Sequence, residues 1–130
     1  MVFKLGSKIG RIGEDTACVF LMKRKFKIID RNYWKKWGEI DIVAEKSGKT
    51  HFVEVKSVTR HNLANVAHET GFKPEDNVHK WKQARLKRVI TSYISEKHIG
   101  QGDWQFDIVS VYLDPVNKQA KVNMLENIIL

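Results

Sequence analysis

Asp41, Glu54 and Lys56 are the residues of this chain best suited to chemistry. They stand in two short runs of strand character, Gly38-Glu39-Ile40-Asp41-Ile42-Val43-Ala44 and His51-Phe52-Val53-Glu54-Val55-Lys56-Ser57. Side chains alternate faces along a strand, so Glu54 and Lys56 share one side while Val53 and Val55 share the other. Pairing of the two runs as a hairpin brings Asp41 to the same end. Two carboxylates and an ammonium placed together can hold a divalent metal and activate water against a phosphodiester. Magnesium takes oxygen ligands in octahedral geometry and keeps several waters. Asp41 and Glu54 offer two such oxygens, and the backbone carbonyl of Val55 offers a third. Lys56 would position the nucleophile or stabilise developing negative charge. A lone Glu-x-Lys arises by chance in many charged strands. Asp-x(12)-Glu-x-Lys across two clear strands is more selective.

The elements around these strands must position them. A first helix is expected from about Gly10 to Lys25, with Gly10, Gly13, Ala17, Phe20 and Leu21 on one stripe. Its small residues allow close approach to a sheet. Glu14 lies on the edge of that stripe. It is either a surface glutamate favoured near a helix start or a site residue holding a second metal or orienting a metal-bound water. Strands are then expected over Phe26–Asn32, Glu39–Glu45 and Thr50–Val58, the last two joined by Lys46-Ser47-Gly48-Lys49, a hairpin turn. Thr59 to Asn77 shows no periodicity and is long for a connection, as functional or mobile loops are. A second helix is expected from about Glu75 to Lys97, with an apolar stripe of Val78, Leu86, Val89, Ile90, Tyr93 and Ile94. His79, Lys82 and Gln83 interrupt that stripe at its start. Either the stripe emerges past the sheet there or this end of the helix overhangs a polar site; three neighbours sharing the feature favour the overhang. Lys80, Lys87 and Arg88 lie off the stripe and add basic surface. Trp104 to Tyr112 alternates as a strand, and Ala120 to Leu125 completes the order α-β-β-β-α-β-β.

The composition narrows the partners. The 130 residues suit one compact domain, with 23 Lys and Arg against 15 Asp and Glu for a net charge of +8. That excess favours a polyanion, because phosphate contacts release counterions. No apolar run is long enough to cross a membrane, and the first residues lack a signal peptide's apolar core. The single Cys18 excludes an internal disulfide and a cysteine-cluster zinc site, which fits a cytoplasmic protein. His61 and His68 lack the spacing of a helical zinc pair. Trp34 and Trp37, interleaved with Lys35 and Lys36 in a turn, form an aromatic-basic tip suited to nucleic acid.

Several motifs together resemble the YraN family of small proteins, assigned to the PD-(D/E)XK, restriction-endonuclease-like superfamily. The matching residues are Gly13-Glu14-x-x-Ala17, Arg31-Asn32-Tyr33, Gly38 to Ala44 and Phe52-Val53-Glu54-Val55-Lys56. Lys82-Gln83-x-x-Leu86 and Phe106-Asp107-Ile108-Val109 match more weakly. The likeness covers about Gly10 to Val111, most of the chain, in a single nuclease-like domain. It implies an α/β fold with a mixed central β-sheet flanked by helices. It further implies Mg2+ or Mn2+ at Asp41, Glu54 and Val55, Lys56 as base or electrostatic helper, Glu14 as an accessory acid, and Gln83 as a helical glutamine near the site. The activity implied is metal-dependent endonuclease cleavage of branched or structured DNA, with DNA ahead of RNA; a homodimer is compatible with it. Lys35, Lys36, Arg60, His79, Lys80 and Lys82 are the expected nucleic-acid contacts. The alternative is a binding module that keeps the fold without turnover. Two departures stand out: Val58 and Gln105 occupy places where the family commonly has arginine, and Arg60 can substitute for the first after a small shift. The segment from Thr59 to Asn77 is also longer than usual, so the departures concern substrate grip more than the metal site.

Overall fold

The computed structural model describes residues 5–64, 80–100 and 102–130. The elements run α1 (Leu5–Lys23), β1 (Lys27–Lys35), β2 (Gly38–Lys46), β3 (Lys49–Thr59), α2 (Lys80–Lys97), β4 (Trp104–Asp114) and β5 (Gln119–Leu125). The five strands form one sheet in the order β1-β2-β3-β4-β5. Three of its pairings are antiparallel, and β3 with β4 is parallel, joined through α2. The expected mixed sheet flanked by helices is therefore the observed one.

Local chemistry explains the corners. Ser47 and Gly48 both have positive φ (53° and 76°), the two-residue turn whose twist matches a hairpin. Both helices stop in the same way without glycine. At the end of α1, Lys25 turns left-handed (φ 73°) and the Phe26 amide donates to the Leu21 carbonyl at 3.0 Å. At the end of α2, His98 does so (φ 54°) and the Ile99 amide donates to the Ile94 carbonyl at 3.1 Å. Each pair of bonded residues also packs together in the core, which offsets the strain of a side chain in that region.

Two apolar layers cover the sheet. On the α1 face lie Ala17, Cys18, Leu21, Phe26, Ile42, Ala44, Val53 and Val109, with Val55 packed against them. On the α2 face lie Ile40, Val43, Phe52, Val89, Ile90, Tyr93, Phe106 and Ile108. The α1 stripe differs in part from expectation. Gly13, Ala17 and Leu21 are buried and Phe20 packs half-buried against the core, as expected, whereas Gly10 is exposed and Cys18 joins the stripe. The Trp104–Tyr112 strand also differs: from Phe106 to Asp114 both faces are buried, because β4 is flanked by strands and covered above and below. Trp34 and Lys35 belong to β1, leaving only Lys36 and Trp37 in the turn.

Candidate active site

The site begins where β2 and β3 part. Their register runs from Lys46↔Lys49 to Ile42↔Val53 and stops there, one pair short of Asp41 and Glu54. Beyond that point the Asp41 side chain takes over a role the ladder gives up: the Val55 amide donates to Asp41 Oδ2 at 2.8 Å. The neighbouring strand shows the same irregularity. Asn32, between two residues paired with Ile42 and Ile40, adopts φ 53°. Asparagine tolerates this left-handed backbone better than most residues. The alternation of faces shifts here, since Ile42 packs toward α1 and Ile40 toward α2.

That shift lets two consecutive residues reach one carboxylate. Arg31 Nε donates to Glu14 Oε1 at 3.1 Å, and Asn32 Nδ2 donates to the same oxygen at 2.9 Å. Arg31 also reaches Asp15 Oδ1 at 2.6 Å. Glu14 is thus a held residue, its side chain 13% exposed. Its distance from the sheet is set by Gly13, where an added Cβ would fall 1.7 Å from Ser57 Oγ on β3. Any larger residue would lift this turn of α1, and Glu14 with it, away from the strands.

Glu54 and Lys56 follow Phe52 in step on the α2 side. Lys56 Nζ lies 3.8 Å from Glu54 Oε1, and Lys82 Nζ reaches the same oxygen at 3.4 Å from α2. Asp41 joins the two halves. It lines an open groove of about 920 Å³ on the α1 side, with Glu14, Arg11, Arg31, Asn32, Val55 and Arg60. It also lines a smaller cleft of about 360 Å³ on the α2 side, with Glu54, Trp81, Lys82 and Arg85.

The electrostatics mark these groups as under tension. Burial pushes the Asp41 carboxyl up to about 6; the Val55 amide opposes the shift, and Glu39, Glu54 and Glu14 add to it. Burial likewise lowers the Lys56 ammonium, with Lys82 adding to the effect and Glu54 and Asp41 opposing it. Clustered groups displaced from their ordinary values by burial and by one another are what acid–base and metal sites require.

Arg60 lines the α1-side groove, its guanidinium donating to the Thr59 carbonyl at 2.9 Å. Lys35 pairs with Glu96 at 2.7 Å and Lys36 is exposed in the β1–β2 turn, so both stand apart from the acidic centre. Gln83 is half-buried on α2 and lines neither cleft, whereas Lys82 does. Lys80 opens α2, but its side chain is not among those described, and His79, Val78, His68 and most of the Thr59–Asn77 connection lie outside the described residues. Reasoning from sequence passed over Arg31 and Asn32 as the residues that hold Glu14. An asparagine within a strand beside an acidic centre was the available signal, since asparagine is enriched where φ turns positive.

A second polar cluster lies at the other end of β3. His51 Nδ1 pairs with Asp107 Oδ2 at 2.6 Å, both buried. Gln105 Nε2 and the Asn127 amide donate to Asp107 Oδ1 at 2.8 and 2.9 Å. Glu126 approaches so that one ligand-type atom from each of His51, Asp107 and Glu126 lies within 4.8 Å of the others. Both Asp107 oxygens are engaged, and Asp107 thereby locks the segment after β5 onto β3 and β4.

The chain is thus a small mixed α/β protein with acidic residues gathered where two strands of its sheet part. A family model described as "Uncharacterised protein family UPF0102" matches residues 13–111, which span that centre. The chain belongs to the UPF0102 family, in agreement with the resemblance read from its motifs. It is similar to a UPF0102 protein of Alkaliphilus oremlandii, 34% identical over 125 residues, covering 95% of this chain and 98% of the other. A UPF0102 protein of Dictyoglomus thermophilum is 40% identical over 111 residues, covering 85% and 87%. One of Dictyoglomus turgidum is 38% identical over 120 residues, covering 92% and 95%.

Proposed function

We propose that the protein is a metal-dependent nuclease of the restriction-endonuclease-like type, acting on branched or structured DNA. The observation that carries this reading is the position of Asp41. It lies at the meeting of two clefts, its carboxyl raised to about 6 by burial and by carboxylates from α1, β2 and β3. Among the described residues only the Val55 amide hydrogen-bonds that carboxylate. Carboxylates crowded this way repel one another, and a divalent cation relieves the repulsion. Asp41, Glu54 and the Val55 carbonyl are oxygen donors suited to Mg2+ or Mn2+. The bound ion would supply charge neutralisation of the phosphodiester and a lowered pKa for water.

The chain's own groups do the rest. Lys56, its pKa lowered by burial, is more often the neutral amine than an ordinary lysine and so is available to take the proton of the attacking water, or as the ammonium it steadies charge on the phosphoryl oxygens. Glu14, fixed by Arg31 and Asn32, orients water on the α1 side. Arg11 and Arg60 line the groove beside it and suit a phosphate backbone. Lys82 shields Glu54 until substrate arrives.

One observation favours a second reading, a binding module without turnover. Lys82 and Lys56 together already balance Glu54 within 3.4 and 3.8 Å. A single experiment separates the two. Wild type and Glu54→Gln are compared on branched, single-stranded and duplex DNA with magnesium, manganese or chelator. Metal-dependent cleavage by wild type alone supports the nuclease. Salt-sensitive binding without cleavage under any condition favours the module.

A further inference from the structure

The α2-side cleft adjoins the acidic centre and carries, beyond Asp41, Glu54 and Lys82, a lining that the phosphodiester chemistry does not use. Its inner surface is apolar, built from Ile40, Val53, Leu86, Val89 and Phe106. Its polar lining is mixed, with Lys82 and Arg85 beside the carboxylates Glu39, Asp41 and Glu54, and it includes the indole of Trp81, which is 60% exposed. The volume, about 360 Å³, falls at the small end of the roughly 300–1,000 Å³ typical of small-molecule sites. An added Cβ at Gly38 would lie 3.3 Å from Val89, so α2 sits tightly on the β1–β2 turn. Arg85 Nε donates to the Trp37 carbonyl at 3.3 Å and Trp37 Nε1 to Ser92 Oγ at 3.2 Å, pinning the same junction. A double helix cannot enter such a space; one flat ring can.

We propose that this cleft receives the unpaired nucleobase next to the scissile phosphate. The inference rests on the nuclease reading for the position of that phosphate, at Asp41 and Glu54, which also line the cleft. Within one nucleotide, base and phosphate lie side by side, as the cleft and the acidic centre do. A base has apolar faces and polar edges, which suits an apolar floor with a charged rim. Trp81 presents an exposed indole for stacking, and the Arg85 guanidinium stands 5.7 Å from the centre of its ring. Stacking of this kind tolerates any base. The substrates so selected carry an extrahelical or single-stranded nucleotide at the cleavage point.

The test uses two duplexes of otherwise equal sequence. One carries an extrahelical 2-aminopurine and the other carries 2-aminopurine paired in the stack. Binding to the full chain is measured at low salt with chelator. Wild type is expected to quench the extrahelical probe and to bind that duplex about tenfold more tightly than the paired one. Trp81→Ala should lose both effects, and Trp81→Phe should keep them, because phenylalanine still offers a ring. Loss confined to the alanine variant cannot be a folding defect if its melting temperature matches wild type, as expected for an exposed residue. Equal binding of the two duplexes by wild type, or an undiminished preference in Trp81→Ala, overturns the proposal even where Glu54→Gln abolishes cleavage. Quenching and preference by a protein that cleaves nothing sustain the base site and sink the nuclease reading.

Discussion

Strand β3 carries two polar clusters, three residues apart, one buried and one half-buried, that follow opposite principles. At His51, the partner Asp107 is fully buried and both its oxygens are engaged, by a ring nitrogen, an amide side chain and a backbone amide. At Glu54, the neighbouring Asp41 carries one backbone hydrogen bond and its carboxyl is raised to about 6. Burying a charge costs several kcal/mol unless partners compensate. The first cluster receives that compensation from the chain itself. The second receives only part of it, and the shortfall is what an external cation would supply. If Asp41 holds a metal as proposed, saturation separates a polar group that serves the fold from one that serves a ligand.

The sharpest way to break this contrast is to remove ligand charge at the acidic end. Glu54→Gln keeps side-chain volume but should lower cleavage by about a thousandfold or more, the scale of losing several kcal/mol of metal-assisted stabilisation. DNA binding should persist, since cationic contacts to phosphate remain. Gel assays with magnesium, against a melting curve to exclude unfolding, decide this. The matching change at the saturated end should do the reverse. Asp107→Ala strands His51 and frees the Asn127 amide, and should cost about 3–5 kcal/mol of stability. Chemical denaturation reads that loss. A stable Asp107→Ala protein would mean that the lock contributes little.

Much of this was legible in the sequence, for identifiable reasons. The pairing of the two strands that carry Asp41 and Glu54-x-Lys56 followed from alternation and from the Ser47-Gly48 turn, although the ladder ends one pair before Asp41. The order of elements followed from periodicity. What escaped was mostly non-local. Arg31 and Asn32 meet Glu14 seventeen and eighteen positions away, only because Asn32 turns left-handed. Asp107 reads as one polar step in an alternating strand. Nothing local reveals that β4 is central, buried on both faces, and that His51 pairs with it across 56 positions. The cleft at Trp81 depends on how α2 seats against Gly38, which periodicity does not give.

A smaller effect sharpens the contrast through stability alone. Asp41 has a folded pKa of about 6 against an ordinary value of 3.8. Between those values the unfolded chain has already released the proton that the folded chain still holds. Stability therefore falls as pH rises through this window and stays reduced above it, by on the order of 3 kcal/mol. Asp41→Asn removes that titration while its amide oxygen can still accept from Val55. The metal-free variant should melt at a higher temperature than wild type at pH 7, with the difference vanishing near pH 4. Magnesium or manganese should raise the melting temperature of wild type and leave that of the variant nearly unchanged. A variant less stable than wild type at pH 7 would show that Asp41 is compensated after all, and the contrast with Asp107 would fail.

The smallest effect concerns how firmly the acidic end is held. Asn32 has two jobs, a left-handed backbone and a hydrogen bond to Glu14. Asn32→Gly keeps the first and deletes the second. Glu14 would retain Arg31, so stability should fall by about 1 kcal/mol or less, the net value of one exposed hydrogen bond. Cleavage should fall by about tenfold, as for other groups that orient a metal-site residue. Asn32→Val deletes both, because a β-branched residue resists positive φ, and should cost a further ~1–2 kcal/mol. Comparing the two variants separates backbone from hydrogen bond at one position. A glycine variant as active as wild type would mean that Arg31 alone positions Glu14. A valine variant as stable as the glycine variant would mean that the left-handed turn is not what brings Arg31 and Asn32 onto one face.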